Sequence, residues 1–222
     1  MQFKESSNMD FIAIDFETAN ANRSSACSLG LVEVRGGIIT SEHSWLIDPM
    51  QHFDYRNVQI HGITESMVQG MPTFNELWPT IEPMLLGNHI VAHNASFDMS
   101  VLRYCLDGTY TDYPTFQYYC TYLLSKKMLP DMPSYKLNVI AESYNIPLNH
   151  HDALDDARAS ALILMNLLEQ EQHPSPEHLS VALGCKIGTM FAGGYTPFSV
   201  PNKKPAKPKA YARKRSSATL HF

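Results

Sequence analysis

The stretch FIAIDFETAN, residues 11–20, places two carboxylates directly after four mostly apolar residues. The apolar run 11–14 has the composition of a buried β-strand. Side chains two positions apart on a strand point to the same face, so Asp15 and Glu17 are expected to project together from its end. An isolated D-x-E pair is more often the point where a strand runs out into solvent. Two further segments change that balance.

Both of these segments place a carboxylate at the end of an apolar element. In IVAHNASFDMSVL, residues 90–102, a short predicted strand is followed by a polar turn, and Asp98 lies at the start of a predicted helix. In HHDALDDARASAL, residues 150–162, the pattern predicts a long helix with Asp156 near its start and His151 in the preceding loop. Taken singly, each segment is also explained by an acid that stabilises a helix N-terminus.

Four carboxylates gathered from three segments would repel one another strongly. At an intermediate dielectric the repulsion is about 4 kcal/mol for each close pair. Such a cluster persists only if cations neutralise it or protons are taken up. Oxygen ligands suit Mg²⁺ or Mn²⁺, and two such ions form the arrangement that cleaves phosphodiesters. The three segments therefore predict a two-metal hydrolytic site.

The order D-x-E, N-x-x-F-D and H-x-A-x-x-D-A resembles the DEDDh branch of the 3′→5′ exonuclease superfamily. That branch includes the proofreading epsilon subunit of bacterial replicative DNA polymerase, ribonuclease T and oligoribonuclease. The resemblance covers residues 10–170, and IHGITESMV, residues 60–68, is similar to the H-G-I element of the proofreading group. It implies a ribonuclease-H-like fold. The order of predicted strands and helices likewise indicates an α/β fold with a mixed central sheet flanked by helices.

The resemblance also implies roles for individual residues. His151 would be the general base, a task that suits an imidazole because its ordinary pKa lies near neutrality. The neighbouring His150 and Asp155 fall outside the motif, and alternation along the strand favours a core position for Phe16. The implied ligands of two divalent cations, Mg²⁺ or Mn²⁺, are Asp15, Glu17, Asp98 and Asp156. The implied substrate contacts are Thr18, Ala19, Phe16, His61, Asn94 and Phe97.

The implied activity is a metal-dependent 3′→5′ exonuclease that releases nucleoside 5′-monophosphates from single-stranded DNA or RNA ends. Two alternatives stay open: a proofreading subunit bound to a DNA polymerase, and an RNA-directed exoribonuclease similar to oligoribonuclease or ribonuclease T. A nuclease-dead binding protein is disfavoured because every motif position is filled. The sequence indicates neither the sugar preference, which depends on contacts around the 2′-hydroxyl, nor the oligomeric state.

Charge is distributed unevenly along the 222 residues. Residues 201–222 carry seven Lys or Arg and no acid, which leaves 10 basic and 22 acidic residues in 1–200, a net charge of −12. Phosphate contacts supply most nonspecific affinity for nucleic acid, so an acidic body needs another source of positive charge. The tail is expected to be disordered and either to supply that charge or to be a solvated terminus. Its basic residues are Lys203, Lys204, Lys207, Lys209, Arg213, Lys214 and Arg215.

The sequence predicts three parts: an exonuclease domain 1–172, an extension 173–200 without an assigned role, and the basic Pro- and Lys-rich tail 201–222. The stretch HPSPEH, residues 173–178, is interpreted as a linker. No apolar run is long enough to cross a bilayer, and the first residues lack the apolar core of a signal peptide. Four widely spaced cysteines indicate reduced thiols. The cytoplasm is therefore the expected location.

Overall fold

A computed structural model describes residues 9–201, so the basic residues of the tail lie outside the described part. Seven strands form one mixed sheet in the order β3-β2-β1-β4-β5-β6-β7. β1, β4 and β5 run parallel, whereas β2, β3, β6 and β7 pair antiparallel with their neighbours. The strands are β1 (Phe11–Thr18), β2 (Ala26–Arg35), β3 (Ile38–Leu46), β4 (His89–Ala92), β5 (Phe116–Cys120), β6 (Gly188–Phe191) and β7 (Gly194–Thr196).

Helices flank this sheet, which confirms the predicted fold class. Among the described residues, no helix combines the length and the apolar character that a membrane span requires. Two of the helices have clear N-terminal caps. Thr73 forms a capping box with Glu76, and Asp152 accepts hydrogen bonds from two backbone N–H groups of the next turn. The helices are α1 (Tyr55–His61), α2 (Glu65–Val68), α3 (Phe74–Leu85), α4 (Ser96–Asp107), α5 (Thr121–Met128), α6 (Leu137–Ser143), α7 (Ala153–Gln170) and α8 (Pro176–Ala182).

The first strand is longer than its apolar run. β1 continues through both acids to Thr18 because β2 pairs with it over its whole length, with Asp15 opposite Gly30. On its other side β1 pairs with β4. The register against β2 shifts between Glu17 and Thr18, an irregularity of the kind that redirects side chains at a strand end. The two acids therefore extend from a strand that is held on both sides.

Helix α7 crosses β1 and β2 at very short distance. A Cβ atom on Gly30 would lie 2.1 Å from the carbonyl oxygen of Ala153, so only glycine allows this approach. Ala153 begins α7, and Asp156 belongs to the first turn of that helix. Gly30 thus sets how closely Asp156 approaches the acids of β1.

The segment after α7 adds to the same sheet. Ser175 caps α8 by accepting a hydrogen bond from His178 N at 3.3 Å, so the interpretation of residues 173–178 as a linker is wrong. β6 and β7 then extend the sheet beyond β5. Phe198 is buried with its ring centroid 6.2 Å from that of Tyr119. The extension 173–200 is therefore packed against the core of the predicted domain.

Replacing Gly30 with Ala is expected to lower the free energy of unfolding by about 1–3 kcal/mol, because the new methyl group overlaps the backbone of α7. Urea denaturation measures this change. Gly108→Ala is the matched control, since Gly108 has a φ of −63° and a Cβ there would come no closer than 3.4 Å to another atom. Equal stability of the two variants would contradict the close approach of α7.

Candidate active site

Three carboxylates from two elements lie together at the end of β1. Asp15, Glu17 and Asp156 each offer an oxygen, and these oxygens all lie within 4.8 Å of one another. The first two project from β1, as the strand alternation predicts, and the third comes from α7. The first and third of the three sequence segments therefore meet in space.

Asp98 brings the second segment to the same place. Its side chain is fully buried in the first turn of α4, and its Oδ1 accepts a hydrogen bond from Phe16 N at 3.1 Å. Within the described residues, its Oδ2 is buried without any hydrogen-bond partner. A buried carboxylate oxygen that lacks a partner is costly, unless a ligand completes the site.

Burial and mutual repulsion raise the pKa of these carboxyl groups. Burial, followed by the charges of Asp98 and Asp156, raises the pKa of Asp15 well above its ordinary value. Burial and the charge of Asp156 raise the pKa of Glu17 to about 8. Burial raises the pKa of Asp98 to about 7, although the Phe16 N–H group opposes the change. The cluster therefore favours either protons or bound cations.

Two adjacent histidines complete the cluster. His151 has a φ of 72°, and this turn directs its N–H group to Asp156 Oδ2 at 3.2 Å. Its Nδ1 lies 3.9 Å from Glu17 Oε1, and its side chain is 40% exposed. Burial and the neighbouring His150 lower the pKa of His151. As expected, His151 lies in the loop before α7, with a ring that solvent can reach.

His150 contacts the acidic cluster, which the motif does not predict. Its Nδ1 lies 3.1 Å from both carboxylate oxygens of Asp156, and its ring stacks on that of His151 with 3.8 Å between centroids. His150 is not predicted as a site residue because it falls outside the H-x-A-x-x-D pattern. The backbone at His151 is left-handed where the two rings stack, and no local spacing in the sequence signals that turn.

The residues after Glu17 are held mainly through the backbone. Thr18 and Ala19 are buried, and the carbonyl of Thr18 accepts hydrogen bonds from Asn57 Nδ2 at 2.7 Å and from His61 Nε2 at 3.2 Å. His61 Nδ1 accepts from Ile63 N, so its proton lies on Nε2. His61 therefore fixes the end of β1, together with Asn57, which the sequence did not single out.

The remaining predicted substrate contacts differ in how exposed they are. Phe16 is 2% exposed and packs against Phe74, so its ring is not available to a base, and the substrate contact predicted for it is wrong. Phe97 is half-buried next to Asp98, with the Arg23 guanidinium 4.2 Å from its ring centroid. Asn94 is exposed in the turn before α4, with a φ of 63°.

The family model RNase_T, described as an exonuclease, matches residues 12–164. The chain belongs to this exonuclease family. It is 32% identical over 166 residues to the DNA polymerase III subunit epsilon of Aquifex aeolicus, a match that covers 72% of this chain and 81% of that protein. It also matches PolC-type DNA polymerase III proteins, among them that of Clostridium perfringens, of whose length it spans only 11%.

Solved structures of exonucleases share the fold. Exonuclease X in complex with 5′ overhanging duplex DNA has a TM-score of 0.64 at 23% identity, and the match covers 77% of this chain and 98% of that one. The nuclease domain of 3′hExo, a DEDDh family member bound to rAMP, has a TM-score of 0.62 at 16% identity, with 76% and 95% covered. These likenesses confirm the ribonuclease-H-like fold of this exonuclease-family chain.

Exonucleases of this family depend on divalent metal ions, and the acidic cluster fits such ions. Its donors are carboxylate oxygens, which hard cations prefer. Asp98 Oδ2 is buried without a partner in the part of the chain described, and bound cations would relieve the repulsion that raises the pKa of Asp15 and Glu17. The residues that would hold the ions come from β1, α4 and α7.

Mn²⁺ is expected to stabilise the wild-type protein by about 2.7 kcal/mol at a hundredfold excess over its Kd. Asp98→Asn removes one repelling charge and one ligand. In EDTA at mildly alkaline pH this variant is expected to be about 0.5–2 kcal/mol more stable than wild type. It is also expected to lose the stabilisation by Mn²⁺. Thermal unfolding with EDTA or Mn²⁺ measures both effects.

Asp131→Asn is the control for this experiment, because Asp131 is exposed in the loop after α5. It should keep the response of the wild type to Mn²⁺. If Asp98→Asn were destabilised in EDTA and still stabilised by Mn²⁺, Asp98 would have a structural role and would not be a cation ligand.

Proposed function

We propose that this exonuclease-family chain hydrolyses the last phosphodiester at the 3′ end of single-stranded nucleic acid and releases a nucleoside 5′-monophosphate. The observation that supports this most directly is Asp98 Oδ2, which is buried without a partner among the described residues, beside three converging carboxylates. The proposed general base is His151. The proposed ligands of two divalent cations, Mg²⁺ or Mn²⁺, are Asp15, Glu17, Asp98 and Asp156.

In this proposal the carboxylates are positioned before substrate arrives. The Phe16 N–H group holds Asp98 against β1, and His150 with the N–H group of His151 holds Asp156. Bound cations supply the positive charge that activates a water molecule and stabilises the departing oxygen. Fixed ligands lower the reorganisation that the reaction needs, because the charged groups do not have to move towards one another.

His151 accepts the proton of the attacking water in this mechanism. Burial and His150 lower its pKa, so its imidazole is neutral at physiological pH and free to take up a proton. The water oxygen forms a bond to phosphorus, the bond between phosphorus and the 3′ oxygen breaks, and that oxygen takes up a proton from solvent water. The 40% exposure of the His151 side chain leaves room for a strand end beside it.

A second candidate function is proofreading as a subunit bound to a DNA polymerase. The 32% identity to an epsilon subunit over 81% of that protein favours it. The two candidates use the same chemistry and differ in whether the chain acts alone. DNA and RNA substrates are both compatible with the carboxylate cluster, because its ligands address the phosphodiester and not the sugar.

Oligomers labelled at either end test the activity and its direction. With Mg²⁺ or Mn²⁺, a 5′-labelled DNA or RNA strand should shorten one nucleotide at a time, and a 3′-labelled strand should release labelled mononucleotide first. EDTA and the Asp156→Ala substitution should each abolish both reactions. Circular dichroism should show that the variant keeps its fold. Shortening from the 5′ end, or undiminished hydrolysis by Asp156→Ala, would contradict the proposal.

Comparison of the two histidines tests the assignment of the base. His151→Ala is expected to lower kcat by roughly 100-fold or more, the usual contribution of a general base, and to leave Mn²⁺ binding intact. His150→Ala is expected to have a clearly smaller effect on kcat, since the Nδ1 of His150 faces Asp156 and not the open side of the cleft. Single-turnover kinetics measure both. A larger loss for His150→Ala would transfer the role to that residue.

A further inference from the structure

One positively charged side chain lies next to the acidic cluster. Arg23, in the loop between β1 and β2, places its guanidinium carbon 4.2 Å from the centroid of the Phe97 ring. Phe97 directly precedes Asp98 on α4. Burial raises the pKa of Asp98, and the positive charge of Arg23 opposes that change. Within residues 9–201, the guanidinium takes part in no hydrogen bond or ion pair, and its N–H groups are available.

Two other arginines in the described part of the chain are held in ion pairs. Arg158 binds Glu42 and Asp155, and Arg35 binds Glu33. In these ion pairs the charge of each arginine is balanced and its N–H groups are engaged. Arg23 is instead stacked on an aromatic face, as is Arg103, whose guanidinium carbon lies 3.8 Å from the Tyr195 ring centroid. Stacking of this kind leaves the edge of the guanidinium free for a bidentate acceptor. Of the two stacked arginines, Arg23 lies on the ring that directly precedes Asp98.

The loop that carries Arg23 is fixed by its own polar side chains. Asn20 Oδ1 accepts from Asn22 N at 2.8 Å, and Asn22 Oδ1 accepts from Ser24 N at 3.2 Å. Ser25 Oγ donates to the carbonyl of Asn22 at 2.7 Å, and Asn20 Nδ2 donates to the carbonyl of His52 at 2.8 Å. Arg23 is thus presented by an ordered loop, which lowers the entropy cost of binding a ligand.

The negative charge of the chain makes a free arginine near the cleft important for binding a strand. Residues 1–200 carry a net charge of −12, and a nucleic-acid strand carries one negative charge per nucleotide. A strand end therefore needs positive charge at the cleft if it is to lie beside the carboxylates. An arginine fork matches the geometry of a phosphate, which makes phosphate a better ligand for Arg23 than a base or a sugar.

We propose that Arg23, stacked on Phe97, binds the backbone phosphate next to the one that is cleaved. This phosphate site rests on the proposed function and adds a strand-binding residue to it. The neighbouring phosphate is favoured over the reacting one because, among the described residues, no carboxylate oxygen lies within ion-pair distance of the guanidinium. The reacting phosphate would lie on the cations that the carboxylates hold, so a guanidinium outside ion-pair distance of those carboxylates is better placed for the next phosphate.

The simpler explanation is that Arg23 only offsets the negative field of Asp98. The two explanations differ in the effect that they predict on strand binding. If Arg23 only offsets the field, its removal strengthens cation binding and does not affect the strand. If Arg23 binds phosphate, its removal weakens strand binding, while the affinity for Mn²⁺ stays the same or rises.

Arg23→Gln tests this with a 5′-fluorescein oligothymidylate in EDTA, where nothing is cleaved and binding is read by fluorescence anisotropy. The variant is expected to bind about tenfold more weakly, the usual effect of losing a charge-assisted contact. The slope of log K against log salt should fall by about 0.7, the value for one phosphate contact on a single strand. In turnover with Mg²⁺, KM should rise about tenfold while kcat stays within about threefold.

Arg35→Gln is the matched control. It removes the same charge at the other end of β1, where Phe11 pairs with Val34, and should leave both the affinity and the salt slope unchanged. Arg23→Lys should bind with intermediate affinity, because lysine keeps the charge and loses the fork. Binding in EDTA does not depend on hydrolysis, so a chain without nuclease activity would still give a result for Arg23.

A neutral methylphosphonate in place of the phosphodiester next to the terminal one identifies the phosphate. Wild type should bind this oligomer as weakly as Arg23→Gln binds the normal one, and Arg23→Gln should bind both oligomers equally. Additive losses would place the contact at another phosphate and overturn the proposal. So would an Arg23→Gln variant that matches Arg35→Gln, or one that loses its stabilisation by Mn²⁺.

Discussion

Repulsion among buried carboxylates is the constraint on which the rest of this molecule depends. Burial raises the pKa of Asp15, Glu17, Asp98 and Asp156, and neighbouring carboxylates raise it further at the first three, so the metal-free cluster opposes folding. Strand pairing and core packing away from the site hold the cluster in place. β1 is paired on both sides, and α4 and α7 are anchored in the hydrophobic core. The hydrophobic core thus offsets the electrostatic cost of the cleft.

Different contacts hold the parts of the carboxylate cluster in place, and most of these contacts involve the backbone. Asp98 is held by the Phe16 N–H group, and Asp156 by the N–H group of His151. Gly30 admits α7 to the sheet, and the carbonyl of Thr18 accepts two side-chain donors at the irregular end of β1. A backbone contact survives changes of side chain, so the geometry of the cluster depends on the register of the sheet more than on particular neighbours.

The parts predicted correctly from the sequence are those with a local pattern. The acids of β1, the turn before Asp98 and the loop position of His151 follow from strand alternation, helix periodicity and motif spacing. Contacts between distant segments leave no such pattern: Asn57 reaches Thr18, and β6 and β7 pair beside β5 although residues 184–201 show no periodicity. The core position of Phe16 followed from alternation, whereas its proposed substrate contact came from resemblance alone.

The charge of the cleft also bears on how a strand end is selected. An acidic surface repels the middle of a strand as strongly as its end, so neutralised sites must lie where the end is to be bound. In the proposed mode of binding, cations held by the carboxylates attract the terminal phosphodiester, and the Arg23 guanidinium on Phe97 attracts the next phosphate along the strand. In that arrangement, two attractive points one nucleotide apart and surrounded by negative charge would orient the strand as well as bind it. Specificity for an end then follows from where positive charge is placed, and a large basic surface is not required.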